Sequence, residues 1–410
     1  MWGSYSIGKC LGKGLYGEVR EAGGADGKRY AIKKFLLDFD CGVEAPQELA
    51  LVLQCSHPYI IQGKEYFFYR DEQYLVMELA ETNLLKYVKE NKLTEGEMCR
   101  LFYELVSALA YLQENGFYHC DIKPENVLIK DGHVKLADFG VSGYKSIQPE
   151  CCNSFASPQN YFVNHRMYRR EMPEKHVEIF TQKVDYQASD IWALGVTFVY
   201  MLTGKVLFYD ANNPLQAGES PALQELYKYV DAPASYLSSN CTNLSEPGIH
   251  LLEKMLHPDQ EQRIKLAKDI LQFLPNYQSK KLVLGSAPIF YNLDIKVTSD
   301  KKLSILVDWL KESSKELGLS CLDLTASIDC LYYVYDDLTD KGQNNKIIQC
   351  VGCACVLLMS KTYNSVGIAP SELVYYSDGA FTKTQLYEQE RKILHKLQGR
   401  VFFNTPALLG

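Results

Sequence analysis

Positive charge is in short supply in this sequence. Lysine and arginine number 43 against 50 aspartates and glutamates, a formal net charge of −7. That deficit argues against direct nucleic-acid binding and against an anionic membrane surface. Long apolar runs are also missing: the longest, from Cys350 to Met359, is too short to cross a bilayer, so no membrane partner is expected. No internal repeat and no low-complexity tract is visible. A charged, then apolar, then small-residue leader does not open the chain, which predicts an intracellular protein. The 13 cysteines are odd in number and follow no regular framework. They predict free thiols in a reducing compartment, cytoplasmic or nuclear. What is present is ordinary: 47 % hydrophobic and 23 % charged residues over 410 positions, enough for two cored domains.

The first eighty residues read mostly as strands, interrupted by one helix from about Pro46 to Cys55 with apolar residues on one face. From about Leu84 the period becomes helical, and a long amphipathic stretch stops at Gly116. A hairpin follows with Asp131-Gly132 as its turn. Between Tyr209 and Gly248 the abundance of Asn, Ser and Pro predicts exposed connections around a single helix. Beyond Leu274 a looser segment leads into about a hundred helical residues.

Two blocks carry chemistry. Gly12, Gly14 and Gly17 form a G-x-G-x-x-G pattern between strands, with Val19 behind it. Glycine there lets backbone N–H groups approach phosphate oxygens, although a tight hairpin turn explains three glycines about equally well. A strand rather than a helix follows, which removes a dinucleotide-binding reading, and that strand carries Ala31 and Lys33. The stronger block is His119-Cys120-Asp121-Ile122-Lys123-Pro124-Glu125-Asn126, followed by Asp138-Phe139-Gly140. Phosphoryl transfer needs a carboxylate to orient a hydroxyl, a cation near the transferred group and oxygen ligands for magnesium. Asp121, Lys123 and the pair Asn126 and Asp138 offer these in turn.

With these motifs in this order, residues 4 to 275 resemble a eukaryotic-type Ser/Thr protein kinase. The resemblance implies an α+β, bilobal fold and use of ATP and Mg²⁺. Lys33 corresponds to the lysine on the α- and β-phosphates, and Glu48 to its αC partner. Met77 falls at the gatekeeper, and Glu78 and Ala80 in the adenine-binding hinge. Asp121, Lys123 and Asn126 take the catalytic-loop roles, Asn126 and Asp138 the metal roles, and Asp190 the anchor of that loop.

Four departures stand out. Cys120 replaces the arginine that grips a phosphorylated activation loop, so phosphorylation there is not expected to be the main switch, though Ser146, Ser154 and Ser157 stay open as acceptors. Gln159 replaces the glutamate that ordinarily pairs with the arginine at Arg263, predicting a hydrogen bond to a neutral amide in place of a buried ion pair. Cys152 stands where a threonine is usual. None of the three removes a group implied to touch ATP or magnesium. A fourth departure is Pro46, which shortens the αC helix and places Glu48 near its start.

Residues 302 to about 405 resemble a single cyclin box, an all-α domain, with ILVDWL and the small-residue helix ending in Ser360-Lys361 as the clearest matches. Lys361 and Glu390 correspond to the pair with which cyclins bind their kinase. The buried Arg and Asp of the box fall at Leu303 and Cys330, so both charges are gone together, which a core tolerates better than losing one. Cys350, Cys353 and Cys355 read as small core residues of that helix. His165, His176 and His250 read as surface residues.

The expected organisation is a kinase domain over 1–275, a linker over 276–301 and a cyclin-like domain over 302–410. Its joined halves resemble kinase–cyclin fusions of large DNA viruses and protists. The expected activity is ATP-dependent phosphorylation of Ser or Thr in protein substrates, with an intramolecular kinase–cyclin-box contact positioning αC. The alternative is a pseudokinase scaffold whose cyclin-like domain docks other proteins or a separate kinase.

Overall fold

A computed structural model describes residues 2–14, 17–35, 46–70, 72–144, 155–164, 172–208, 223–242, 244–274, 289, 292–293, 300–339, 344–363 and 367–403. The chain divides into two compact units. The first comprises Met1–Ser56, Gln62–Leu79 and Ala287–Gly410, and the second His57–Ile61 and Ala80–Ser286. The strand-rich start of the chain and its helical end therefore share one unit.

In the first unit, β1 (Ser6–Gly14), β2 (Gly17–Gly23), β3 (Arg29–Phe35), β4 (Gly63–Tyr69) and β5 (Glu72–Glu78) form an antiparallel sheet in the order β1-β2-β3-β5-β4. Tyr5, Ala22, Ile32, Tyr74 and Val76 make a buried cluster on it, flanked by Trp2, Tyr30 and Phe67. The one helix here, α1 (Pro46–Gln54), opens on a proline that needs no N–H in a first turn. Leu49, Ala50, Leu51 and Val52 are buried on it. It lies so close to β4 that a Cβ on Gly63 would stand 2.8 Å from the Val52 carbonyl oxygen.

The second unit begins with β6 (Thr82–Asn83), α2 (Leu84–Glu90) and α3 (Glu95–Glu114), the last started by a Thr94–Glu97 capping box. β7 (Phe117–Tyr118), the hairpin β8 (Val127–Lys130) and β9 (His133–Leu136), and β10 (Gly143–Tyr144) follow. Asp131 and Gly132 both have positive φ, 50° and 74°, as the tight turn between β8 and β9 requires. Then come α4 (Pro158–Asn164), α5 (Glu174–Phe180), α6 (Tyr186–Thr203), α7 (Leu223–Asp231), α8 (Pro233–Asn240), α9 (Glu246–Met255) and α10 (Ala267–Ile270). The stretch read as exposed connections around one helix holds α7 and α8 and the start of α9. Leu226, Tyr229 and Leu237 bury their side chains there, enough apolar anchorage to order short helices in polar sequence. The centre of the unit is α6, with Trp192 fully buried and Gly204 closing the helix at φ 68°.

The chain returns to the first unit in α11 (Lys301–Ser313), α12 (Cys321–Leu338), α13 (Asn345–Tyr363), α14 (Pro370–Tyr376) and α15 (Lys383–Lys396). α13 packs against α11, α12, α15 and α1. Its glycine, Gly352, admits α11: a Cβ there would meet Leu306 Cδ2 at 2.9 Å. The whole of α13 is long and apolar enough to cross a membrane by length and composition, a longer apolar element than the run read from sequence. Here it is mostly buried as a core helix, and Cys350, Cys353 and Cys355 lie inside the bundle. Leu303 and Cys330, where the box's charges would fall, are buried as well. Most of the segment 276–301 lies outside the described residues.

Candidate active site

The first unit contributes a glycine hairpin and an ion pair. Gly14 pairs with Gly17 at the end of the β1–β2 ladder, and the two residues between them lie outside the described residues. A Cβ on Gly12 or Gly14 would meet nothing within 4 Å, so these positions leave open space. Gly17 differs: a Cβ there would stand 2.4 Å from the Lys34 carbonyl oxygen, so only glycine lets β2 lie against β3. Val19 pairs with Lys33 across these strands, and Ala31 pairs with Met77 across β3 and β5. Lys33 Nζ donates to both carboxylate oxygens of Glu48, at 2.5 and 2.7 Å. The two residues are 7 % and 3 % exposed, so this bidentate pair is largely shielded from water. Glu78 ends β5, its N–H donating to the Gln62 carbonyl at 2.9 Å. Ala80 begins the longer segment of the second unit.

The second unit holds the catalytic loop. Lys123 Nζ donates to Asp121 Oδ2 at 2.7 Å. Asn126 Nδ2 donates to the same oxygen at 2.7 Å and to the Asp121 carbonyl at 2.9 Å. Asp121 is thus held by two donors at one carboxylate oxygen. The Ala137 N–H donates to the Asn126 carbonyl at 2.9 Å, which ties the residue before Asp138 to this loop. Asp138 presents an exposed carboxylate at φ 64°, and Cys120 sits at φ 66°. Left-handed non-glycine residues cost about 1–3 kcal/mol each and persist where surroundings enforce them.

Asp190 on α6 supplies that enforcement at Cys120. Its buried carboxylate accepts from the His119 N–H at 2.7 Å and the Cys120 N–H at 2.8 Å. Burial pushes its carboxyl up to about 7, opposed by the two N–H groups, which favour the charged form. His119 is also buried, and burial lowers its imidazole. Its ring contacts the Ala137 carbonyl at 3.1 Å and packs against Phe139 at 5.1 Å between centroids.

The donor chemistry suits magnesium. Asn126 spends its amide nitrogen on Asp121, which leaves the amide oxygen as an acceptor, and Asp138 adds an exposed carboxylate. Hard oxygen ligands, few from protein and the rest from phosphate and water, are what Mg²⁺ takes.

The departures have physical consequences. Arg263 Nη2 donates to Gln159 Oε1 at 3.2 Å, and Arg263 otherwise donates to the carbonyls of His257, Ala188 and Pro258 at 2.9, 3.0 and 3.2 Å. Its guanidinium lies 4.9 Å from the Trp192 ring centroid. Burial pushes the guanidinium down to about 9, opposed by Tyr229 and the carboxylates of Asp185 and Asp259. Ser157, left open as a phosphate acceptor, is fully buried with its hydroxyl 2.7 Å from that of Ser189. Ser146, Ser154, Cys152 and His165 lie outside the described residues. His176 is not a surface residue: it is 3 % exposed, stacked on Phe180 and Tyr227 at 5.5 and 5.4 Å. Phe180, one turn further along the same helix, and Tyr227 on α7, distant in sequence, cover it. His250 keeps an exposed ring.

Lys361 and Glu390 pair with each other at 2.8 Å, with Glu390 fully buried. The segment before Pro46, their expected contact, lies outside the described residues. Sequence reading missed two glutamines on α1. Gln47 Nε2 donates to the Thr362 carbonyl at 2.6 Å and the Lys361 carbonyl at 3.5 Å. Gln54 Nε2 donates to the carbonyls of Ile289 and Phe402 at 2.7 and 3.0 Å, while its Oε1 accepts from the Phe402 N–H at 3.1 Å. Their spacing of seven places both on one helix face, a signal available in the sequence.

This architecture has recognisable relatives. Residues 5–273 match the protein kinase domain, and residues 269–401 match the cyclin N-terminal domain. The chain belongs to the protein kinase family, with a cyclin domain following the kinase domain. It is 32 % identical over 220 residues to CBL-interacting protein kinase 21 of Oryza sativa subsp. japonica, covering 51 % of this chain and 40 % of the relative. CBL-interacting protein kinase 17 of the same plant is 28 % identical over 297 residues, 67 % of this chain and 59 % of the relative. A calcium/calmodulin-dependent protein kinase of Metarhizium anisopliae is 29 % identical over 268 residues, 63 % of this chain and 64 % of the relative. The chain spans about half the length of the curated relatives it matches.

Proposed function

We propose that the chain is an ATP- and Mg²⁺-dependent protein serine/threonine kinase whose cyclin-like part holds α1, the αC equivalent, in cis. The observation that carries this reading is the closed Lys33–Glu48 pair on a nine-residue helix whose glutamines hydrogen-bond to cyclin-like residues. So short a helix has little stability of its own. In the first unit, Gly12, Gly14 and Gly17 leave backbone free for phosphate oxygens, and Lys33, oriented by Glu48, supplies charge to them. Val19, Ala31, Met77, Glu78 and Ala80 take the adenine-facing roles of the family. In the second unit, Asn126 and Asp138 would hold Mg²⁺, and the chemistry it would supply there is neutralisation of charge on the phosphates. Asp121 orients the substrate hydroxyl and receives its proton, and Lys123 stabilises the transferred group's charge.

Free thiols at all ten described cysteines fit an intracellular site of action. Transfer from radiolabelled ATP to a Ser/Thr protein substrate tests the reading. Asp121→Asn should lower turnover about a hundredfold or more, the scale of lost general-base and positioning work. Equal activity in the two proteins, purified free of other kinases, would refute the assignment. For the cis contact, Gln47→Glu in the full chain sets a carboxylate against the Lys361 and Thr362 carbonyls. Activity about tenfold lower is expected.

A further inference from the structure

The end of the described chain is built onto α1. After α15, Gly399 turns at φ 74°, and a Cβ there would lie 2.6 Å from Leu53 Cδ1 on α1 and 3.6 Å from Tyr66 Cβ on β4. Val401, Phe402 and Phe403 are all buried. Tyr363, the last residue of α13, grips this segment: its hydroxyl donates to the Val401 carbonyl at 3.4 Å and accepts from the Phe403 N–H at 3.1 Å. Its ring meets the Phe402 ring edge-on at 5.7 Å. From the other side, Gln54 pairs with both the N–H and the C=O of Phe402, as a neighbouring strand would, and adds the Ile289 carbonyl.

We infer that Gln54 is a positioning residue for phosphoryl transfer, reading the backbone of Phe402 and thereby setting the rotation of α1 that aims Glu48 at Lys33. This rests on the cis-positioning reading and names the contact that does it. One anchor leaves a helix free to pivot. Gln47 and Gln54 lie two turns and about 10 Å apart on one face, so together they fix both tilt and rotation. Glu48 points roughly 100° around the helix from that face. A rotation of about 20° would sweep a side chain at a radius of 5–6 Å through about 2 Å, enough to open bonds of 2.5 and 2.7 Å. Glutamine alone suits this place: a glutamate has no donor for the two carbonyls, a lysine has no acceptor for the Phe402 N–H, and an asparagine is one carbon short.

Full-chain Gln54→Glu tests the inference. Its kcat should fall about tenfold with a smaller change in KM for ATP, because the Lys33–Glu48 pair orients the α- and β-phosphates for transfer of the terminal one. In a Glu48→Gln background the same substitution should cost less than about twofold, since the residue through which it acts is already disabled. Equal tenfold losses in both backgrounds would mean that Gln54 only stabilises the fold, and would overturn the inference. Should Gln54→Glu fail to fold, Gln54→Met, uncharged and of similar length, is read by the same cycle. Tyr363→Phe, which frees the segment on its other side, should lower kcat by a smaller factor. Loss of activity in Gln47→Glu with none in the Gln54 variants defeats this inference and leaves the cis reading standing. Full activity in every one of these variants defeats both.

Discussion

The two parts of the catalytic machinery are secured by opposite strategies. In the second unit the catalytic loop is held from inside its own core: Asp190, on the fully packed helix α6, takes the N–H groups of His119 and Cys120. In the first unit Glu48 rides on a nine-residue helix whose polar face is held by residues some three hundred positions later in the chain. The contrast is thermodynamic. An anchor inside a folded core is present whenever that core is; on the proposed reading, the anchor on α1 exists only while the cyclin-like residues stay packed against it, which would make it the adjustable element.

Breaking the internal anchor should have the largest effect. Asp190→Asn turns an NH₂ toward one of the two loop N–H groups and leaves a buried donor unsatisfied, at about 1–3 kcal/mol. With the left-handed residue Cys120 no longer enforced, activity should fall about a hundredfold and the melting temperature should drop with it. A variant of near-normal activity would show that the loop holds its own shape.

Breaking the external anchor should separate the two readouts. The double variant Gln47→Ala, Gln54→Ala should lose about ten- to thirtyfold in turnover. Hydrogen-exchange protection on α6 should stay unchanged while protection on α1 falls. Equal loss of protection in both helices would erase the distinction between the two strategies.

A gain is expected where the second unit pairs Arg263 with a neutral amide. Gln159→Glu gives Arg263 a buried carboxylate partner, while giving up two amide bonds to the Pro258 and Ile179 carbonyls, at 2.7 and 3.2 Å. The net stabilisation should be about 1 kcal/mol, visible as a higher melting temperature with turnover nearly unchanged. A lower melting temperature would show that the carbonyls and the Trp192 ring already satisfy the guanidinium.

The smallest effect concerns His176. Burial lowers its imidazole below the usual value, with Asp231 pulling the other way and Lys175 adding to the lowering. The unfolded chain therefore binds a proton here as pH falls through about 6.5 while the folded chain resists it, so stability is lost on acidification. His176→Phe should flatten the decline in melting temperature between pH 7.5 and 5.5. An unchanged slope would assign the acid sensitivity to other groups.

Much of the second unit's site was legible because its chemistry is local. Asp121, Lys123 and Asn126 lie within six positions, and the Asp131-Gly132 turn brings the strand before Asp138 back beside them, so one short stretch carries both residues and geometry. The Lys33–Glu48 pair was legible for a related reason, since a strand lysine and an early helix glutamate stand at a recognisable separation. His176 was misread because the Tyr227 ring that covers it comes from α7, whose approach no local pattern announces. The helices between Tyr209 and Gly248 were undercounted for the same cause: side chains such as Tyr229 and Leu237 are ordered by packing rather than by propensity.

The sequence by itself determined the kinds of elements, the order of the chemical groups and the presence of a second helical part, because strand and helix periods, turn chemistry and closely spaced polar residues are properties of neighbouring positions. Only the tertiary structure decided that the helical end of the chain shares a compact unit with the opening sheet, that Gln54 meets the backbone of Phe402, and that Gly399 must lack a side chain to let Leu53 approach. Those contacts join residues hundreds of positions apart. They depend on side-chain volume and on which backbone groups are left unpaired after each part has folded, quantities that exist only once the chain is packed.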